Sequence, residues 1–121
     1  MKKQIKIGDK EYFAKSSAYT QFKYKNDTGH KLMSDLQEVA KLQELSQEEQ
    51  IEGIQDMLET ILRMTYIMIE EADSSQVTSY EDFLKGLDGL LDDEEWLGDV
   101  IDLASSPFSR GTKGNPQKIT K

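Results

Sequence analysis

The sequence predicts an α+β fold, predominantly α: an N-terminal β-hairpin packed on a bundle of about four to five helices within residues 1–105, then a disordered basic tail over 106–121. Three observations carry that prediction. Apolar residues alternate at period two over residues 4–14, they recur at helical spacing from about 17 to 104, and from Ser105 onward neither period continues. The chain has 121 residues, no Cys and 36% hydrophobic residues. That suffices for one core, because a chain of this size buries roughly two-thirds of its unfolded surface.

Each element has a local cause. Ile5 and Ile7 alternate with Lys6, Gly8-Asp9 offers the turn, and Tyr12 and Ala14 resume the alternation. Parity then places Ile5, Ile7, Tyr12 and Ala14 on one face and Phe13 on the other. A lone hairpin is marginal in water, so that face should pack on a helix. Ser16 or Ser17 caps a helix over about 17–26 in which Ala18, Phe22 and Tyr19 share the inward face, with Gly29 as its stop. A second helix over 31–45 places Leu32, Leu36, Val39 and Leu42 at helical spacing.

The third helix, 47–71, opens on a capping box at Ser46-Gln-Glu-Glu49. Its apolar arc runs from Met57 and Met64 through Ile61, Met68, Ile54, Leu58, Ile51, Ile69 and Leu62, spanning roughly 160°. Tyr66 and Ile67 flank it, so the last two turns are apolar almost all round and should be covered on two sides. Ser79 caps a helix over 79–90 that two glycines, Gly86 and Gly89, weaken. Asp92-Asp-Glu-Glu95 is a second capping box for a last helix over 93–104, with Leu91 and Trp96 placed as a hydrophobic staple.

Charge is distributed in blocks. The total is −8, yet residues 1–31 carry +5, residues 32–105 carry −17, and residues 106–121 carry +4. A net acidic chain binds free nucleic acid or an anionic membrane poorly. The opposed blocks also offer a route to head-to-tail self-association through the basic tail. With no Cys, no apolar leader and no long apolar run, the expectation is a protein of a reducing cytoplasm without disulfides.

Chemistry-bearing patterns are scarce, and no catalytic, cofactor-binding or metal-binding residue is assigned. Asp88 to Glu95 lacks calcium-loop spacing: counted from Asp88 the third position is Leu90, and counted from Asp92 the fifth is Trp96. His30 is the single histidine and reads as a solvated surface residue. The segment from Tyr12 to Lys25 interleaves Tyr12, Phe13, Tyr19, Phe22 and Tyr24 with three lysines, a composition that serves base stacking as well as core packing. Along the third helix, Met57, Met64, Ile67 and Met68 form a flexible edge that reads either as core or as a partner-binding surface.

Taken as a string, the lysine-rich hairpin with its G-D-K-E-Y turn, followed by FAKSSAYTQFKYKNDTGHKLMSDLQ, resembles the tail assembly chaperones of long-tailed bacteriophages and prophages. Ile5, Ile7, Gly8, Lys10, Glu11, Tyr12, Phe22, Gly29 and Leu32 carry the resemblance, which covers about residues 4–70. It implies a non-enzymatic protein that binds the long, helical, hydrophobic tape measure protein before the tail tube polymerises, and that often self-associates. In that family a frameshift near the end of the reading frame often yields a longer product. Two other readings are an acidic DNA mimic that inhibits a host nucleic-acid-binding protein, motivated by the −17 block, and a generic cytoplasmic interaction module.

Overall fold

The computed structural model describes residues 2–90 and 95–108, and its architecture is α+β, mainly α. Strands β1 (Lys2–Ile7) and β2 (Lys10–Lys15) pair antiparallel, with Ile5 opposite Tyr12 and Ile7 opposite Lys10, so Gly8 and Asp9 are the turn. Gly8 has φ +62°, and a Cβ there would sit 2.0 Å from the Asp88 carbonyl oxygen. The turn therefore requires glycine both for its backbone conformation and for the loop packed against it.

Ile5, Ile7 and Ala14 are fully buried and Tyr12 half-buried, while Phe13 points outward, as the parity of the alternation predicts. The covering helices are α4 (Leu58–Ala72) behind β2 and α6 (Glu95–Ser105) behind β1. Lys3 reaches Asp99 of α6 at 2.9 Å. Buried Ser16 closes the far end: its hydroxyl donates to the Leu103 carbonyl and lies 2.9 Å from the Ser106 hydroxyl.

Helix α4 is the axis of the core. Ile61, Leu62, Met64, Thr65, Tyr66, Ile67, Met68 and Ile69 are all buried, because the hairpin, α1 (Ala18–Thr28), α2 (Leu32–Ala40) and α6 approach it from different sides. The apolar second half of the expected third helix is thus covered on more than one side. Tyr66 also anchors a ring cluster, 5.3 Å from Tyr80 and 5.5 Å from Phe83, and Phe83 in turn meets Tyr12 at 5.7 Å and Tyr80 at 6.3 Å.

Several boundaries differ from the expected ones. The single helix over 47–71 is two, α3 (Gln47–Asp56) and α4, broken at Met57 with φ −109° and ψ 12°. The two halves have different partners. Gly53 brings α3 onto the 3-10 turn Lys41–Glu44, where a Cβ would lie 2.4 Å from Leu42, while α4 is held by the hairpin. One straight axis does not serve both. The helix expected over 31–45 stops at Ala40 and tightens into that same turn.

Helix α5 (Tyr80–Lys85) ends well before residue 90, because Gly86 takes the cap and its N–H returns to Asp82, Phe83 and Leu84 carbonyls. Ser106–Phe108, assigned by sequence to the tail, form a 3-10 turn that Ser16 ties to the body. The capping box at Asp92-Glu95, its Leu91 staple partner and the rest of the tail expected to be disordered lie largely or wholly outside the described residues. Trp96 itself is buried, and its indole N–H donates to the Leu90 carbonyl at 2.9 Å.

Candidate partner interface

Helix α1 is held to the body by polar groups. Ser17 is its N-cap: the Ser17 hydroxyl accepts from the Tyr19 N–H at 3.2 Å, and the Thr20 hydroxyl accepts from the Ser17 N–H at 2.9 Å. Both hydroxyls in turn donate to one carboxylate, Glu71 near the end of α4, at 2.6 Å from Ser17 and 2.5 Å from Thr20. Four residues before the far end, the Tyr24 hydroxyl donates to Asp35 of α2 at 2.6 Å. Burial, then the hydrogen bond and charge of Asp35, raise the Tyr24 phenol far above the ordinary tyrosine value. Gly29, with φ +79°, ends the helix by returning its N–H to Lys25.

Those attachments set the rotation of α1, and they correct the sequence reading of it. The inward residues are Thr20 and Tyr24, not Ala18, Tyr19 and Phe22. Tyr19 is 58% exposed and Phe22 67% exposed. Hydrophobicity alone does not fix the rotation of this helix, because its inward residues are held by hydroxyl hydrogen bonds. The available signal was the series Thr20, Tyr24, Thr28 at i, i+4, i+8, read together with Ser17 as the cap.

Around Tyr19 and Phe22 the surface is lined by Lys23, Lys25 and Asn26. Beside it runs a cleft of about 220 Å³ between α1 and α4, with Tyr19 and Lys23 on one wall, Glu70, Glu71 and Ser74 on the other, and Ile67 at its floor. Phe13 adds a third outward aromatic ring from β2, with the Lys2 ammonium 5.1 Å from its centroid. Its backbone is satisfied by one side chain: the Phe13 N–H donates to Gln76 Oε1 at 2.7 Å, and its carbonyl accepts from Gln76 Nε2 at 2.9 Å. Gln76 thereby occupies part of a strand edge that would otherwise be open to pairing.

The edge named by sequence is located elsewhere. Met64, Ile67 and Met68 are 1%, 1% and 0% exposed, packed within this chain, and Met57 is half-buried at the break between α3 and α4. Of the two readings the sequence left open for them, core is the one the structure gives, and they do not form a free surface together. Their burial follows from the cover that the hairpin, α1, α2 and α6 together give α4, which a helical wheel of one segment does not contain.

A second, polar cleft of about 300 Å³ lies between the end of α1 and the start of α4, lined by Tyr24, Asp27, Thr28, His30, Glu59, Thr60 and Arg63. The Arg63 guanidinium stacks 4.3 Å from the Tyr80 ring centroid. Exposed His30 places Nδ1 3.1 Å from the Asp35 carboxylate that Tyr24 also uses. Among the described residues no three His, Asp or Glu side chains gather as a metal site, and no helix is long and apolar enough to cross a membrane.

Comparison of the chain with protein-family models, with curated proteins and with solved structures finds no match in any of the three.

Proposed function

We infer that this chain is a tail assembly chaperone of a long-tailed phage or prophage, acting in the bacterial cytoplasm without enzymatic chemistry, and that it binds and shields apolar helical segments of a tape measure protein. The observation that carries the reading is the outward placement of Phe13, Tyr19 and Phe22. All three lie in the stretch whose residues resemble that family. Met33, Leu45 and Leu84 are further exposed apolar side chains elsewhere on the chain. Exposed aromatic side chains on a highly charged chain, two of them adjacent on α1, support a surface meant for a partner. Homo-oligomerisation would array such surfaces along an elongated client.

Co-expression with the tape measure protein encoded in the same gene cluster tests this directly. The tape measure should co-purify with a tagged copy of this chain, and a tape measure that never co-purifies would sink the proposal.

The DNA-mimic reading has one observation of its own. Glu48, Glu52 and Asp56 are exposed and follow at four-residue intervals along α3, which places them about 6 Å apart. The row stops at Met57, where the helix breaks. Competition with duplex DNA for a basic nuclease at low salt separates the readings, since a chaperone leaves the DNA bound.

A further inference from the structure

We propose that the outer face of α1 is the docking surface of this chain, and that its occupant is an amphipathic helix whose apolar stripe is edged by carboxylates. The proposal rests on the partner-shielding reading and names the place and the chemistry that such a partner must have.

The rotation of α1 is fixed by its polar attachments. Its inward side is committed to Glu71 and Asp35 through Ser17, Thr20 and Tyr24, so Tyr19 and Phe22 stay outward in the folded chain. They are three residues apart and therefore adjacent on the helix surface. They make an apolar strip on the outer face of a helix of 11 residues, beside the cleft whose floor is buried Ile67. Such a helix is about 16 Å long, which accommodates roughly three turns of a helix lying beside it.

Charge selects the occupant. The surface around Tyr19 and Phe22 is lined by Lys23, Lys25 and Asn26, while Glu70 and Glu71 stand across the adjoining cleft that Tyr19 shares. Lys23 reaches Asp27 at 3.5 Å, at the long end for an ion pair. This is a basic patch on a chain of net charge −8, within its +5 N-terminal block. A helix with acidic residues on the edge facing those lysines gains complementary charge at the rim and is steered toward that face.

Single-stranded nucleic acid fits less well, although aromatic rings and lysines are what it uses. The far wall of the adjoining cleft carries Glu70 and Glu71, and the body beyond it belongs to the −17 block. A phosphate backbone extending past the strip meets like charge, whereas a helix carries its acids on one edge only.

Two synthetic peptides of about 14 residues test this, each an amphipathic helix with the same Leu stripe, one edged by Glu and one by Lys. Titrated into the 15N-labelled full chain, the Glu-edged peptide should shift the amides of residues 18–28 and bind at least about tenfold more tightly than the Lys-edged one. Tyr19→Ala combined with Phe22→Ala should weaken it by a further tenfold or so. Both side chains point outward, so the melting temperature should hold. Lys25→Glu is an independent arm and should reduce or invert the preference between the peptides.

Equal binding of the two peptides, binding of neither, shifts confined to other helices, or tighter capture of a dT oligonucleotide on the same face would each overturn the proposal. A tape measure that co-purifies while the peptides ignore α1 leaves the chaperone reading standing and removes this surface. Peptide binding at α1 without tape measure capture does the opposite.

Discussion

Replacing Glu71 should release α1 from the body while leaving the hairpin core folded. The carboxylate accepts two hydroxyl hydrogen bonds, from Ser17 at 2.6 Å and from Thr20 at 2.5 Å. Bonds to a charged group contribute about 1.5–3 kcal/mol each, and the lower figure applies where water can replace a partner. Glu71 and Ser17 are only half-buried, but Thr20 is buried and loses the acceptor for its proton. The two losses together come to about 2–3 kcal/mol for Glu71→Ala, and to about half that for Glu71→Gln, which keeps one carbonyl acceptor. Little else holds this helix, since its buried residues are Thr20 and Tyr24 alone. Opening of α1 should therefore become about 30- to 150-fold more frequent. Amide hydrogen exchange reads this residue by residue: amides within Ala18–Thr28 should accelerate by that factor in Glu71→Ala, while those of Ile5, Ile7 and Ala14 change far less. Unchanged exchange in α1, or an equal acceleration across the whole chain, would refute the polar clasp as the attachment of this helix.

Further outcomes follow from the core and its titrations. Gly8→Ala combines a φ of +62° with a Cβ 2.0 Å from the Asp88 carbonyl oxygen, so thermal or urea unfolding should show a loss of about 3 kcal/mol, and a loss under 1 kcal/mol would contradict the packing of that loop on the turn. Met64→Ala should cost about 2–5 kcal/mol by urea denaturation because the side chain is 1% exposed, whereas half-buried Met57→Ala should cost less than half as much, and equal costs would mean that the two share an environment. Tyr12, Tyr24, Tyr66 and Tyr80 are each raised by burial above the ordinary tyrosine value of 10.0. The unfolded phenols lose their protons first as pH rises, so the stability these groups contribute is intact below pH 10 and is lost above it. Urea midpoints should fall between pH 10 and 11, and a midpoint that rises there would contradict the burial of these rings.

Much of this fold was legible in local patterns, and the exceptions share a cause. Strict alternation at Ile5, Ile7, Tyr12 and Ala14 sufficed for the hairpin and its inward face, because period two leaves no ambiguity of rotation once the turn is at Gly8-Asp9. Ser46 and Ser79 both cap helices, since the orphan amides of a helix start need a local acceptor whatever the tertiary structure. Rotation of α1 was not legible. It is decided by Glu71 and Asp35, 51 residues and 11 residues from the hydroxyls they hold, and these bonds outweigh the pull of Phe22 toward the core. The break at Met57 likewise depends on Leu42 meeting Gly53, a contact between segments that no single-helix pattern contains. The candidate interface was half visible. The run of aromatic and lysine residues from Tyr12 to Lys25 is plain in the composition, but which rings face outward is set by the tertiary structure.

The most direct measure of the central proposal is the soluble fraction of a tape measure protein expressed with and without this chain, followed by sedimentation after mild centrifugation of the lysate. The account predicts that the tape measure is largely insoluble alone and moves to the supernatant with wild-type chain. It also predicts that the combined Tyr19→Ala and Phe22→Ala chain, folded as judged by its melting temperature, loses most of that effect. A tape measure equally soluble in the presence and absence of the wild-type chain would contradict it.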